Sequence, residues 1–328
     1  MKQSDAYYLL REHRATLVAA GLFVVIFAIY IGKHQMGWTS AVLTTAANKG
    51  VLLAVVAMAQ TLVVLTGGID LSVGMVFVLA NCLSSHWVVG TPAQAALGAV
   101  GVLMMGALCG FINGAIIVYG RLQPIIATLA TGSIYYGLAL GLRPVPGGEV
   151  QPDVADALTG TLPGGVPSML VVLLVVVLVV WVPYRRSALG RSALAVGSSE
   201  AATYMSGVSV GRTRIVTYSL AGLLAATGGV LLTFVTYSGE ASSAIGSVYT
   251  LNSIAAVVIG GAVLAGGSGS AVGSIFGAFA LRTIGDLLFV FDLEPLWQPL
   301  FQGLVLLAAV SFGAFGLFKL RNRLEIYK

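Results

Sequence analysis

Thr66-Gly67-Gly68-Ile69-Asp70-Leu71-Ser72-Val73-Gly74 separates two apolar runs. Upstream, Val51 to Leu65 is apolar apart from Gln60 and Thr61; downstream, Met75 to Ala80 leads through Asn81 and Cys82 into more apolar chain. A carboxylate at the middle of a membrane helix costs about 2.5–3.5 kcal/mol on insertion scales. At a helix end it can instead accept from backbone N–H groups that have no partner within the helix. The stretch therefore reads as a break at Gly67-Gly68, with Asp70 as N-cap of the next helix. Its carboxylate is expected to accept from the backbone of Ser72 or Val73.

The flanking runs belong to a chain built for a bilayer. Of 328 residues, 58% are hydrophobic and 9% charged, and the mean hydropathy is +0.96. Soluble domains carry roughly 25% charge, so the composition implies an all-α polytopic membrane bundle. Spans need about 20 apolar residues. Ten are expected, at 15–31, 50–66, 71–89, 94–119, 124–142, 167–183, 214–237, 251–265, 271–290 and 298–318, forming one transmembrane domain over 1–328. Lys2, Arg11 and Arg14 before the first span suggest a signal peptide, but the run is too long and no small-x-small site follows, so it reads as an uncleaved span.

Charge orients the bundle. With the N-terminus cytoplasmic, inner segments hold Lys2, Arg11, Arg14, Arg121, Arg185, Arg186, Arg191, Arg212, Arg214, Lys319, Arg321, Arg323 and Lys328. Outer segments hold only Lys33, Lys49 and Arg143. This positive-inside bias puts both termini in the cytoplasm. It also puts Gly67 to Asp70 at a cytoplasmic turn, where Asp70 need not be buried. The dispersed net charge of +5 is no nucleic-acid footprint. Cys82 and Cys109 lie in apolar runs and read as packing residues, and lone His34 and His86 give no metal set.

Two loops are long. The outer segment 143–166 is rich in Pro and Gly and is expected to form a lid or short helix. In the inner segment 184–213, Ser198 or Ser199 can cap a short helix with Glu200 in its first turn, and Gly207 can end it. Ala201, Met205 and Val208, spaced i, i+4, i+7, share one side. That helix either packs on its own bundle or fits a groove on a cytoplasmic partner.

Gly67-Gly68-Ile69-Asp70-Leu71-Ser72-Val73-Gly74, followed late in the chain by Glu200-Ala201-Ala202 and Ser206-Gly207, resembles the permease subunits of ribose-type sugar ABC importers. Gly110-Phe111-Ile112-Asn113-Gly114, Pro124 to Thr131, Leu251 to Gly261 and Gly266 to Ser270 are similar to further family segments in the same order. The chain departs from the family at Ser198-Ser199, where Gly-Asn is usual, and at Thr250 and Asn252, where acids are usual. The resemblance implies a bacterial inner-membrane subunit paired with a second permease chain, identical or not. It further implies cytoplasmic ATPase subunits carrying ATP and Mg, and a periplasmic sugar-binding protein. This chain has no Gly-x-x-x-x-Gly-Lys-[Ser/Thr] loop, and neither a catalytic residue nor a cofactor of its own is expected.

On that reading Glu200, Ala201, Ala202, Met205, Ser206 and Gly207 couple to the ATPase. Asp70, Ser72, Gln60, Asn81, Asn113, Thr128 and Asn252 are candidates for the translocation path or gate, since a sugar needs hydrogen-bond partners rather than full charges. Gly67, Gly68, Gly74, Gly260 and Gly261 are candidate hinges. Each polar residue has a plainer role available: Asp70 as a cap, Ser and Thr bonded to their own helix, Asn113 at a Gly106/Gly110/Gly114 helix contact. Arg282 and Asp286 are four apart and expected to pair. A stand-alone carrier or channel is the alternative function; it would call for partnered intramembrane carboxylates, and only Asp70 and Asp286 qualify.

Overall fold

The computed structural model describes residues 2–298 together with 300, 301, 303, 304 and 307, and side chains from residue 14 onward apart from Pro295. The helices are α1 (Lys2–Lys33), α2 (Ser40–Leu65), α3 (Val73–Trp87), α4 (Pro92–Tyr119), α5 (Pro124–Leu142) and α6 (Pro152–Thr159). A short hairpin, β1 (Thr161–Leu162) and β2 (Val166–Pro167), leads to α7 (Ser168–Val176), which continues through a π-helical turn, Val177–Trp181, into α8 (Val182–Arg186). Then come α9 (Ala188–Ser198), α10 (Glu200–Met205), α11 (Val210–Thr236), α12 (Ser243–Ile259) and α13 (Ala271–Val290).

Among the described residues, seven segments are long and apolar enough to cross a membrane: Arg14–Lys33, α2, α4, α5, Ser168–Arg186, α11 and α13. α3 and α12 are apolar but shorter, at 15 and 17 residues. The chain is thus a polytopic helical membrane protein. The expected span 298–318 falls largely outside the described residues, and the basic tail Lys319, Arg321, Arg323 and Lys328 falls wholly outside them.

The bundle is organised around α2, which is buried at every position from Gly50 to Leu65. A helix apolar on all sides needs neighbours on all sides. They are α3, α7, α11, α12 and α13. Farther out, α1, α4 and α5 keep large apolar side chains such as Val24, Leu97, Met104, Ile126 and Leu138 exposed, as lipid-facing helices do. Lipid tails are as apolar as leucine, so such helices associate by close packing rather than by escape from water. The α4–α11 contact illustrates it. A Cβ on Gly106, Gly110 or Gly114 would run into the backbone of Gly222, Tyr218 or Ile215 on α11.

Several boundaries differ from expectation. α2 begins at Ser40 rather than near residue 50, capped by Thr39, whose side chain accepts from the Val42 N–H. Its polar first third is held by contacts made elsewhere: Asn48 donates to the Thr159 carbonyl at 2.8 Å, and Lys49 pairs with Asp286. Lys49 is therefore a helix residue, not part of a loop. α12 spans 243–259 rather than 251–265, because Gly260 and Gly261 end it before the apolar residues that follow. The segment 143–166 does contain a short helix, α6, but adds the β1–β2 hairpin and a bridge from Gly147 to Gly239. The segment 184–213 holds two helices, α9 and α10, where one was expected.

Arg14 and Arg185 line one cavity, and Arg121 and Arg214 another. The end of the bundle where these cavities lie is the basic end; α6 and the hairpin lie at the far end.

Candidate functional site

At the basic end of α2, Gly67 takes a φ of 76°, a left-handed turn that L side chains resist. The chain then folds back into the bundle instead of running across its end. The Asp70 backbone settles beside Gln60, whose amide, oriented to suit, donates to the Asp70 carbonyl at 3.0 Å and accepts from its N–H at 3.2 Å. Gln60 is five residues before Leu65, or about 7 Å inside the helix end at 1.5 Å per residue. Asp70 is accordingly only 3% exposed. The expectation of an open turn is corrected: the glycine pair lets the segment re-enter the core.

Asp70 is also not the N-cap of α3. That place belongs to Ser72, which makes no side-chain cap bond of its own. Asp70 reaches over it, with Oδ1 accepting from the Ser72 N–H at 2.8 Å and from its hydroxyl at 2.6 Å. The expected acceptance from the Ser72 backbone is therefore present, made from two residues before the helix.

Three other elements hold the same stretch. Asn113 on α4 donates through Nδ2 to Ser72 Oγ at 2.8 Å. Tyr135 on α5 shares its hydroxyl hydrogen between Asn113 Oδ1, at 3.2 Å, and the Cys109 carbonyl, at 2.9 Å. Thr128 Oγ1 on α5 accepts from the Leu71 N–H at 2.9 Å, and Thr250 Oγ1 on α12 accepts from the Gly74 N–H at 3.1 Å. Leading backbone N–H groups of a helix have no partner within it; here side chains from other helices take the Gly74 N–H. Ser72, Asn113 and Thr128 have no exposed surface. The cluster is a sealed polar clamp on a re-entrant strand, with its bonds directed inward.

The remaining path candidates separate. Asn81 clamps the α11–α12 turn: its Nδ2 donates to Thr233 Oγ1 at 2.9 Å and its Oδ1 accepts from the Glu240 N–H at 2.8 Å. Asn252 is half-buried on α12, and it is Thr250 that joins the clamp. The hinge candidates divide too. Gly67 and Gly261 adopt positive φ, while Gly74 and Gly260 are close-packing sites against Gly246 and against Gly273 and Ser274. A Cβ on Gly68 would lie 2.6 Å from the Tyr218 hydroxyl, a buried group with no hydrogen-bond partner among the described residues.

A second polar region sits at the basic end. Ser199 caps α10, its side chain accepting from the Ala202 N–H at 3.3 Å. Gly207, at φ 79°, ends it: its N–H donates to the Tyr204 carbonyl, and the next N–H, of Val208, to that of Thr203. That is the pair of bonds a left-handed C-terminal turn provides. Thr203 faces inward, while Glu200, Ala201, Ala202, Tyr204, Met205, Ser206 and Gly207 are exposed, Tyr204 at 73% and Met205 at 80%. Glu200, expected to suit the helix dipole and to couple to a partner, forms a two-pronged pair with Arg214 of α11 at 3.1 and 2.6 Å. Beneath lies a cavity of about 460 Å³ lined by Arg121, Glu200, Tyr204 and Arg214, among others.

Tyr135, Tyr204, Arg214 and Tyr218 have no site role in the sequence reading, and Thr250 enters it only as a departure from the family pattern. Tyr135 was within reach, since Thr128, Thr131 and Tyr135 recur at i, i+3, i+7 on one face of α5, all buried. The other four give no such signal; their roles follow from which helices meet.

The family described as the branched-chain amino acid transport system / permease component matches residues 42–310. A probable ABC transporter permease of Sinorhizobium fredii (strain NBRC 101917 / NGR234) is 35% identical over 314 residues, 94% of this chain and 91% of that protein. The ribose import permease of Escherichia coli (strain K12) is 35% identical over 261 residues, 78% of this chain and 80% of that protein. The fructose import permease of Rhizobium meliloti is 31% identical over 305 residues, 90% and 83% of the two chains. No solved structure matches.

Proposed function

This chain belongs to that family of transport-system permease components, and from that premise we propose that it is the membrane subunit of an ATP-driven monosaccharide importer. Relatives named for ribose and for fructose import support the substrate class. In this reading the chain crosses a bacterial inner membrane ten times as one domain over 1–328, with both termini and the basic end cytoplasmic. It pairs with a second permease chain and receives sugar from a periplasmic binding protein. ATP and Mg belong to separate ATPase subunits.

The observation that carries the mechanism is α10. A short helix with Tyr204 and Met205 exposed at its tip, fixed at its first turn by Glu200 to Arg214, is a rigid apolar knob on a charged surface. A cytoplasmic partner would cover it, and motion there would pass through Arg214 into α11. Four residues along, Tyr218 abuts Gly68, next to the Asp70 clamp. The clamp is then the gate's hinge rather than a sugar-binding surface, and sugar passes between the two permease chains.

The test is reconstitution with the partner ATPase. Ala201→Asp with Met205→Asp should abolish stimulation of ATP hydrolysis and ATPase pull-down while leaving thermal unfolding of the permease unchanged. Full stimulation by the double variant would overturn the role of α10. Sugar uptake by the purified chain alone in liposomes would overturn the importer reading as a whole.

A further inference from the structure

Toward the far end, away from the clamp and α10, three charged side chains meet between α1, α2 and α13. Lys49 Nζ lies 3.0 Å from Asp286 Oδ1, and the Arg282 guanidinium lies 3.9 Å from the same oxygen. The expected pair of Arg282 with Asp286 is thus the looser half of a triad whose closer partner is Lys49. Two cations share one carboxylate, leaving one positive charge in excess. Asp286 is 13% exposed, and Arg282 Nε is buried with no hydrogen-bond partner among the described residues. Lys49 and Arg282 are 40% and 34% exposed, so the excess positive charge faces the cavity, where an anion can reach it and form charge-assisted hydrogen bonds.

The triad opens on a cavity of about 320 Å³, lined also by Tyr30 and Thr45 and by the apolar Phe289, which is 78% exposed. Depth decides what kind of anion suits it. Asp286 is one helical turn from the end of α13, and Tyr30 one turn from the end of α1. Trp38, 72% exposed, marks the same end. Aromatic residues of this kind gather at the membrane–water interface, where an exposed guanidinium or ammonium can pair with a lipid phosphate. α1 beside the cavity presents exposed Val24, Val25 and Ile29, a surface for an acyl chain.

We propose that the cleft formed by Lys49, Arg282 and Asp286 binds the phosphate of an anionic phospholipid in the leaflet at the far end of the bundle. The phosphate takes the unused Arg282 and Lys49 donors, and the lipid's net charge of −1 cancels the excess cation.

Native mass spectrometry of the purified, delipidated full chain tests this. It is incubated with phosphatidylglycerol, with phosphatidylcholine, or with inorganic phosphate. Retention of phosphatidylglycerol should exceed that of phosphatidylcholine at least fivefold. Arg282→Gln, which removes the looser of the two cations on Asp286, should erase the preference. Equal retention of the two lipids by the unaltered chain would overturn the proposal without recourse to any variant. So would a preference that survives both Arg282→Gln and Lys49→Gln. Thermal protection by inorganic phosphate equal to that by phosphatidylglycerol would show a free-phosphate site instead, and would also overturn it.

Discussion

The Asp70 clamp and the α10 knob use the same residue types to opposite ends. Each has an acid and a serine at a helix start and a glycine of positive φ nearby. In the clamp, Asp70, Ser72, Asn113 and Thr128 face each other and are sealed from solvent. At α10, Glu200 is tied back to Arg214, and beyond it every residue to Gly207 except Thr203 is turned outward. Burial makes polar groups answer to one another; exposure leaves them for a partner. A motif rich in glycine, acid and hydroxyl therefore does not by itself mark a ligand site. Where its bonds go decides.

Substitutions can break this contrast. The largest effect is expected from Ser72→Ala, which removes only the hydroxyl: Asp70 Oδ1 keeps the residue-72 N–H as donor, while Asn113 Nδ2 loses its acceptor. A buried group left unpaired costs about 1–3 kcal/mol, so the detergent-solubilised protein should lose about 2–4 kcal/mol of stability once the second bond to Oδ1 is added, read as a large drop in unfolding temperature. Asp70→Asn retains an acceptor for the Ser72 N–H. It should shift stability by about 1 kcal/mol, the worth of a single hydrogen bond, and leave transport intact; loss of transport with an intact fold would give the carboxylate charge a role beyond holding the chain.

At the exposed region the scale falls. Glu200→Gln breaks a pair whose acid is 56% exposed, so stability should change by about 0–1 kcal/mol. ATPase stimulation should weaken nonetheless, because α10 loses its tether. Smallest is an alkaline effect at the far end. The Tyr237 hydroxyl donates to the Asp156 carboxylate, which holds its pKa above the ordinary value. A raised pKa favours the protonated form in the fold, so this contribution is full below pH 10 and fades as pH climbs through the raised value. Tyr237→Phe should remove that alkaline component from the unfolding curve.

Much of the fold was legible. α5 and α13 run over the segments read from the sequence, 124–142 and 271–290, the first because Pro124 opens it and no charged residue interrupts it. Ser199 and Gly207 were readable as cap and terminator because those bonds are local. What failed was non-local. Ser40 to Lys49 carries Thr44, Thr45, Asn48 and Lys49 and looks like a loop; contacts with Thr159 and Asp286 keep it helical. The depth of Asp70 was misjudged because hydropathy cannot distinguish a turn that ends a span from one that folds back beside Gln60.

The shortness of α3 bears on how the chain is made. Fifteen residues at 1.5 Å each give about 22 Å, short of the roughly 30 Å hydrocarbon core, and the residues just before Val73 are not helical. The backbone N–H groups of Leu71, before the helix, and Gly74, in its first turn, are met by Thr128 and Thr250, which the ribosome adds 57 and 176 residues later. During synthesis this segment must then wait, incompletely paired, against α2 or the insertion machinery. The start of α3 is fully paired only when α5 and α12 have arrived.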